Sequence, residues 1–181
     1  PYIPVPVAGL GVDMPYVCLR VPTGGGKTLL ACHAAGLAQR QFMRAERAVV
    51  LWLVPSHTIL DQTADALRDP RHPYRRALEL ACGAVEVVTI DEALHLSRAT
   101  IDGQTVVIVS TIQSFRAEDT TGRRVYDQNG AFSDHVAQVP SDRIADLFPG
   151  ADGKPKPSLV NALRLRRPIV IVDEAHNART D

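Results

Sequence analysis

The sequence lacks a net charge, a cysteine pattern and any long hydrophobic run. Its 181 residues include 20 basic and 20 acidic side chains, so no overall basic field indicates a nucleic-acid partner, although one groove can still be basic. No run approaches 18 apolar residues, and no basic segment precedes an apolar one, so we expect neither a membrane span nor a secretory signal. The remaining composition, 45% hydrophobic and 22% charged, is typical of one globular domain.

The three cysteines, Cys18, Cys32 and Cys82, show neither CxxC nor metal-ligand spacing. An odd, unpatterned set is typical of a reducing compartment, so we expect the protein to be cytoplasmic. The chain begins at Pro1 without a methionine, and we expect it to be part of a longer polypeptide.

One glycine-rich stretch, VPTGGGKT at residues 21–28, organises the rest of the chain. A short apolar run at 16–21 precedes it, and a run rich in alanine and leucine follows, which predicts a helix over 27–43. Three consecutive glycines allow backbone N–H groups to approach an anion, and the helix start adds partial positive charge. A flexible turn with a chance lysine is the alternative. The predicted phosphate-binding residues are Thr23, Gly24, Gly25, Gly26 and Lys27.

Two side chains in this stretch suit a nucleoside triphosphate with Mg²⁺. Lys27 offers a full positive charge to the β- and γ-phosphates, and Thr28 offers a hydroxyl to the metal ion. The general GxxxxGK[ST] pattern calls for glycine at position 21, where this chain has Val21.

Alternating apolar runs and helical segments predict an α/β fold with a mainly parallel sheet of about five strands. Strands are expected at 16–21, 48–54, 85–90, 105–110 and 168–172. Helices are expected at 27–43, 58–67, 74–81 and 158–165, with a short one capped by Asp91 and ending at Leu96. Residues 1–15 are expected to form an extended lead-in, and residues 116–157 an irregular insertion with short helices near 132–139 and 143–147.

A second chemical motif, Asp173-Glu174-Ala175-His176, follows the last predicted strand. A carboxylate at the end of a buried strand can hold Mg²⁺, which we assign to Asp173. Glu174 is placed to polarise the water that attacks the γ-phosphate, and His176 to couple the site to a moving part. A solvated acidic loop is the alternative interpretation, which the upstream glycine loop disfavours.

Together these motifs resemble the first RecA-like domain of a superfamily 2 DEAD/DEAH-type helicase or translocase. The resemblance rests on PTGGGKT and IVIVDEAH, covers about 16–115 and 158–178, and is greatest to the helicases of type III restriction enzyme R (Res) subunits. It implies a RecA-like P-loop NTPase fold over 16–181, with ATP and Mg²⁺ as ligands. Val21 in place of the first glycine fits this superfamily.

Two further segments resemble motifs that contact nucleic acid in this superfamily. LWLVPSHTILDQ resembles motif Ia and places Pro55 and Ser56 after a strand, while IVSTIQSF places Thr111 at another strand end. Each has an ordinary structural alternative, since Ser56 and Thr111 also suit the starts of helices. Trp52 is interpreted as a core residue, and Arg164, Arg166 and Arg167 as a solvated helix end.

The resemblance also implies parts that this chain does not contain. The Ser-Ala-Thr-like motif and the second RecA-like domain, with its arginine finger, are absent from the sequence, and no glutamine precedes the first predicted strand. We therefore expect the ATP-binding half of a nucleic-acid-dependent ATPase, itself weakly active or inactive. Its implied partners are nucleic acid, DNA in preference to RNA, the second RecA-like domain and restriction or modification subunits.

Two other functions remain open from the residues alone. The insertion at 116–157 fits a nucleotide-gated protein-interaction module that does not act on nucleic acid, since long irregular insertions often carry partner contacts. A different P-loop NTPase, such as a kinase, is the third possibility, and the DEAH sequence directly after a strand disfavours it.

Overall fold

The structure, a computed structural model, describes residues 15–22, 24–115 and 123–174. The predicted site residues Thr23 and His176 lie outside these ranges, as does the predicted lead-in except for Pro15. Within them, no helix is both long enough and apolar enough to cross a membrane.

Four parallel strands form one sheet, which confirms the predicted α/β class with one strand fewer than expected among the described residues. Their bounds are β1 Val49–Val54, β2 Val85–Thr89, β3 Thr105–Thr111 and β4 Ile169–Val172. The order across the sheet is β2-β3-β1-β4. Every residue of β3 is buried, which is typical of a central strand covered on both faces.

The strand predicted at residues 16–21 is wrong. This segment is irregular and exposed, with Tyr16 at 53%, Val17 at 66% and Leu19 at 56% of their full accessibility. An apolar run becomes a strand only where another strand accepts its backbone hydrogen bonds, and no described strand pairs with this run.

Most helices occur close to their predicted positions, but the helix at Arg98–Gly103 was not predicted. Their bounds are α1 Lys27–Leu37, α2 His57–Arg68, α3 Pro73–Cys82, α4 Ile90–Ala93, α5 Arg98–Gly103, α6 Ser133–Val136 and α7 Leu159–Arg166. A π-helical turn, Ala38–Phe42, extends α1 nearly to the predicted end. The predicted cap of α4 is wrong, because Thr89 caps it in a reciprocal box with Glu92 rather than Asp91.

The core lies on both faces of the sheet. On one face Val50, Trp52 and Val109 pack beneath α1, α2 and α3, and Trp52 is fully buried, as predicted. On the other face Leu51 and Ile108 pack with α5, α7 and part of the predicted insertion. The sheet is thereby held between two helical layers, with its strand ends left for polar residues.

The described part of the insertion contains short helical turns, Gly130–Phe132, α6 and Ser141–Asp146. The buried Asn161 of α7 fixes this segment: its Oδ1 accepts from the Phe148 N–H at 2.9 Å, and its Nδ2 donates to the carbonyls of Phe148 and Lys156, both at 2.8 Å. The insertion is therefore anchored to the main domain through hydrogen bonds between its backbone and the buried Asn161 side chain.

Candidate functional site

The polar motifs meet at the carboxyl edge of the sheet. Val54 lies beside Thr111 in the β1–β3 register, and the Asp173 N–H donates to the Leu53 carbonyl at 2.9 Å. The ends of β3, β1 and β4 therefore lie side by side, which is where a parallel α/β sheet binds ligands.

The glycine loop makes a tight turn before α1. The Gly25 N–H donates to the Pro22 carbonyl at 3.0 Å, and both Gly24 and Gly26 adopt a left-handed conformation with φ of 77°. A Cβ on Gly25 would lie 2.7 Å from Val21 Cγ1, so the residue opposite Val21 must be glycine. The Gly25 amide is used within this turn, whereas we expected it to face a phosphate.

The start of α1 directs backbone donors toward the end of this loop. The helix has eleven residues, Gly26 is its N-cap, and no described side chain accepts a capping hydrogen bond there. Its first N–H groups and its partial positive charge remain for an anion. Thr28 lies in this first turn and is partly exposed.

Lys27 and Glu174 meet although 147 positions separate them in the sequence. Lys27 Nζ lies 2.5 Å from Glu174 Oε1, and the two side chains are 30% and 29% exposed. This contact brings the loop lysine and the acidic motif into one site. A triphosphate that binds Lys27 would compete with the Glu174 carboxylate for its ammonium group.

A local turn aims Glu174 at Lys27. Asp173 Oδ1 accepts the Glu174 N–H at 2.9 Å, and Glu174 has a φ of 51°, which is unusual for a residue with a side chain. The Asp173 side chain is thereby held at the end of β4, partly exposed to solvent.

These residues fit Mg²⁺ bound together with a nucleotide. Mg²⁺ in nucleotide sites takes one or two protein oxygens and completes its shell with phosphate oxygens and water. No group of three or more His, Cys, Asp or Glu side chains suited to a metal occurs in the described part of the chain. The Thr28 hydroxyl and the Asp173 carboxylate are oxygen donors of the kind such a shared site requires.

The three residues expected to contact nucleic acid also lie at this edge. Ser56 is exposed, and its Oγ accepts the Ile59 N–H at 3.4 Å, so the predicted cap of α2 is present. Pro55 is partly buried, directly after β1. Thr111 is only 3% exposed, and its Oγ1 lies 3.1 Å from Ser114 Oγ.

Two arginines at the end of α7 are not merely solvated, contrary to our interpretation. Arg164 lies over the Phe148 ring at 4.3 Å, and Arg166 forms an ion pair with Asp102 at 2.6 Å. Sequence patterns could not identify these contacts, because each joins residues that are distant along the chain and belong to no motif.

Comparison with known proteins identifies the family of the chain. A family model described as type III restriction enzyme, res subunit, matches residues 13–181. Comparison with curated proteins and with solved structures gave no match. The family is helicase-like, with a superfamily 2 RecA-type domain, and the matched range includes both the glycine loop and the acidic motif. The chain therefore belongs to the family of the type III restriction enzyme res subunit.

Proposed function

We propose that this chain is the ATP-binding half of a nucleic-acid-dependent ATPase, a DNA helicase or translocase of the restriction-subunit type. The observation that carries the proposal is the contact between Lys27 and Glu174, which joins the glycine loop to the acidic motif. The family membership supports the same activity and does not favour an interaction module that ignores nucleic acid.

In this proposal, each residue of the site has one task. The backbone amides of Thr23, Gly24 and Gly26 and the Lys27 ammonium bind the phosphates, while Thr28 and Asp173 hold Mg²⁺. The ion, when bound, neutralises charge on the phosphate oxygens. Glu174 accepts a proton from the attacking water, and His176 links the site to the second RecA-like domain.

Replacing Lys27 by alanine should weaken binding of Mg-ATP to this chain by roughly 10- to 100-fold. A hydrogen bond to a charged group contributes about 1.5–3 kcal/mol, and each 1.4 kcal/mol corresponds to a factor of ten. Isothermal titration with Mg-ATP measures the change. Lys154→Ala is the matched control, because Lys154 is an exposed lysine in the insertion. Equal affinities of the Lys27→Ala variant and the unchanged chain for Mg-ATP would contradict the assignment of the phosphate site.

The dependence on nucleic acid is tested in the full-length parent. We expect its ATP hydrolysis to rise on addition of DNA, and this rise to be absent in Lys27→Ala. The 181-residue chain should hydrolyse ATP poorly, because an arginine finger from a second domain contributes roughly 10³- to 10⁵-fold in related NTPases. Rapid ATP hydrolysis by the chain alone would overturn this part of the proposal. So would ATP hydrolysis by the full-length parent that neither DNA nor RNA raises.

Substitutions of Ser56 can separate its effect on the helix cap from its effect on nucleic-acid binding. Ser56→Asp keeps a good cap, so the free energy of unfolding should change by less than about 0.5 kcal/mol, whereas Ser56→Ala should lose about 1 kcal/mol. If Ser56 also contacts a phosphate, the added negative charge should weaken DNA binding about three- to tenfold.

Fluorescence anisotropy with labelled duplex DNA at one fixed salt concentration measures the effect of Ser56→Asp. Ser97→Asp is the control, since Ser97 is another exposed cap whose Oγ accepts from the Thr100 N–H at 3.1 Å. If both aspartate variants bind DNA as the unchanged chain does, Ser56 is only a helix cap.

A further inference from the structure

A buried histidine of the insertion, His135, lies where the short helix α6 packs against the main domain. His135 is only 8% exposed, and its ring lies tilted against the Phe132 ring with 5.5 Å between the ring centres. Phe132 is fully buried in the same core cluster as Leu51 and Ile108 of the sheet. His135 therefore belongs to the contact that α6 makes with the main domain.

Neither ring nitrogen of His135 has a hydrogen-bond partner in the described part of the chain. Buried polar atoms in proteins are nearly always hydrogen-bonded, so each exception needs an explanation. An unpaired nitrogen destabilises the packed arrangement even when the ring is neutral, and a charged ring buried in the same way destabilises it far more. An apolar side chain of similar size would avoid both costs, so packing alone does not explain the histidine.

The charged groups that act on this ring come from both helices beside α6. They are Arg98 and Asp102 on α5 and Arg166 on α7, while Asp134 on α6 itself is exposed. Arg166 Nη1 lies 2.6 Å from Asp102 Oδ1, and Arg98 Nε donates to Asp102 Oδ2 at 3.3 Å. The Asp102 carboxylate is thus already shared by two guanidinium groups, and the three groups together carry one net positive charge.

This environment keeps the packed ring neutral. Burial lowers the pKa of His135, and the Arg166 guanidinium lowers it further. The nearby Leu96 backbone, although it forms no hydrogen bond with the ring, and the Asp102 carboxylate oppose this pKa shift without cancelling it. Burial also opposes ionisation of Asp102, but the hydrogen bonds and charges of Arg166 and Arg98 outweigh it and lower the pKa of this carboxyl group. Near neutral pH, the titrating member of this cluster is therefore the histidine.

The attachment of α6 is separate from the other anchors of the insertion. Arg98 Nη1 donates to the Asp134 carbonyl at 3.0 Å, an exposed hydrogen bond that ties α6 to α5. Elsewhere in the insertion, Asn129 Nδ2 donates to the Leu94 carbonyl at 2.8 Å, and the buried Asn161 holds the segment that precedes α7. These anchors allow α6 to leave the main domain while the rest of the insertion stays attached.

We propose that His135 is a pH-sensitive latch, which holds α6 against α5 and α7 while its ring is neutral and releases α6 when the ring gains a proton. The ring of the released state lies in water and binds a proton more readily than the packed ring does. The packed state is therefore fully stable above about pH 6.5 and loses stability as the pH falls below this value. One proton raises the ratio of released to packed state by at most about tenfold per pH unit.

Hydrogen exchange followed by mass spectrometry tests the latch on the 181-residue chain. A helix of four residues does not persist in water without packing, so release exposes the amides of α6 to exchange. Protection factors, which correct for the pH dependence of exchange itself, are compared at pH 7.5 and pH 5.5. We expect the protection of α6 to fall by up to about tenfold, and that of the buried strand β3 to stay within about twofold.

His135→Phe should remove the pH dependence of α6 protection, because the phenyl ring cannot gain a proton. His95→Asn is the matched control, since His95 is an exposed histidine next to Leu96, and this variant should keep the pH dependence. His135→Leu makes the same test if His135→Phe does not fold. In the unchanged chain, nuclear magnetic resonance of the His135 ring should show a titration midpoint below about 6.5.

Three results would overturn the proposal. The first is equal protection of α6 at pH 7.5 and pH 5.5 in the unchanged chain. The second is the same pH dependence in His135→Phe or His135→Leu as in the unchanged chain. The third is an equal loss of protection in α6 and β3, which would indicate general unfolding by acid and not local release. None of these results depends on whether the chain binds ATP.

Discussion

Glu174→Gln should lower ATP hydrolysis by the full-length parent roughly 10²- to 10⁴-fold while ATP binds as tightly as before or more tightly. The loss follows if the Glu174 carboxylate accepts the proton of the attacking water, since a positioned general base contributes about this factor. Glutamine has nearly the same shape as glutamate but cannot accept that proton. The fold and the phosphate-binding loop should therefore be unaffected.

The expected gain in affinity follows from the contact of Glu174 with Lys27. ATP would compete for the Lys27 ammonium with a carboxylate 2.5 Å distant, and both side chains are partly shielded from water. Such a pair is worth at most about 1 kcal/mol, so its removal should tighten ATP binding by up to about fivefold. A residue that only positioned the loop would give the opposite change in affinity.

Two measurements separate these effects: phosphate release under saturating ATP, and the affinity for ATP by titration. Glu79→Gln is the matched control, because Glu79 is an exposed glutamate of α3 in an ion pair with Arg75. It should change neither quantity. Hydrolysis that persists in Glu174→Gln at saturating ATP would contradict the assignment of Glu174 as the base. A weakened affinity would instead indicate a role in shaping the loop.

The buried strands could be predicted from the sequence because each has a local cause. VVLWLV and TVVIVS are continuous apolar runs, and only strands covered on both faces bury such runs efficiently. The strand-and-loop spacing of the motifs then placed Asp173 and Glu174 at the same edge as the glycine loop. The sequence motifs therefore predicted that the glycine loop and the acidic motif lie close together. They did not predict that Lys27 and Glu174 form an ion pair.

The errors arose where structure depends on distant partners. Residues 16–21 have the composition of a strand but no described strand beside them, so their composition alone gave a wrong prediction. Asp91 is a good capping residue, yet Thr89 and Glu92 form a reciprocal box that fixes the start of α4 two positions earlier. Arg47 and Asp102 are 55 positions apart and carry no motif, so only the fold reveals their contact.

Gly36→Ala should destabilise the chain by about 3 kcal/mol, although the same change in an ordinary helix stabilises by up to about 1 kcal/mol. A Cβ on Gly36 would lie 2.5 Å from both the Cβ and the carbonyl oxygen of Ala81, and 2.7 Å from its carbonyl carbon. These are mostly backbone atoms of α3, which cannot rotate away as a side chain can. The methyl group therefore forces α1 and α3 apart.

Gly103→Ala provides the control for Gly36→Ala, since a Cβ at Gly103 would meet nothing within 4 Å. Chemical denaturation should show a lower free energy of unfolding for Gly36→Ala only, and heating should show a midpoint lower by about 6–12 °C. Because Lys27 begins the same helix, affinity for Mg-ATP should fall together with stability. Equal stability of the two variants would mean that α1 and α3 do not approach each other this closely.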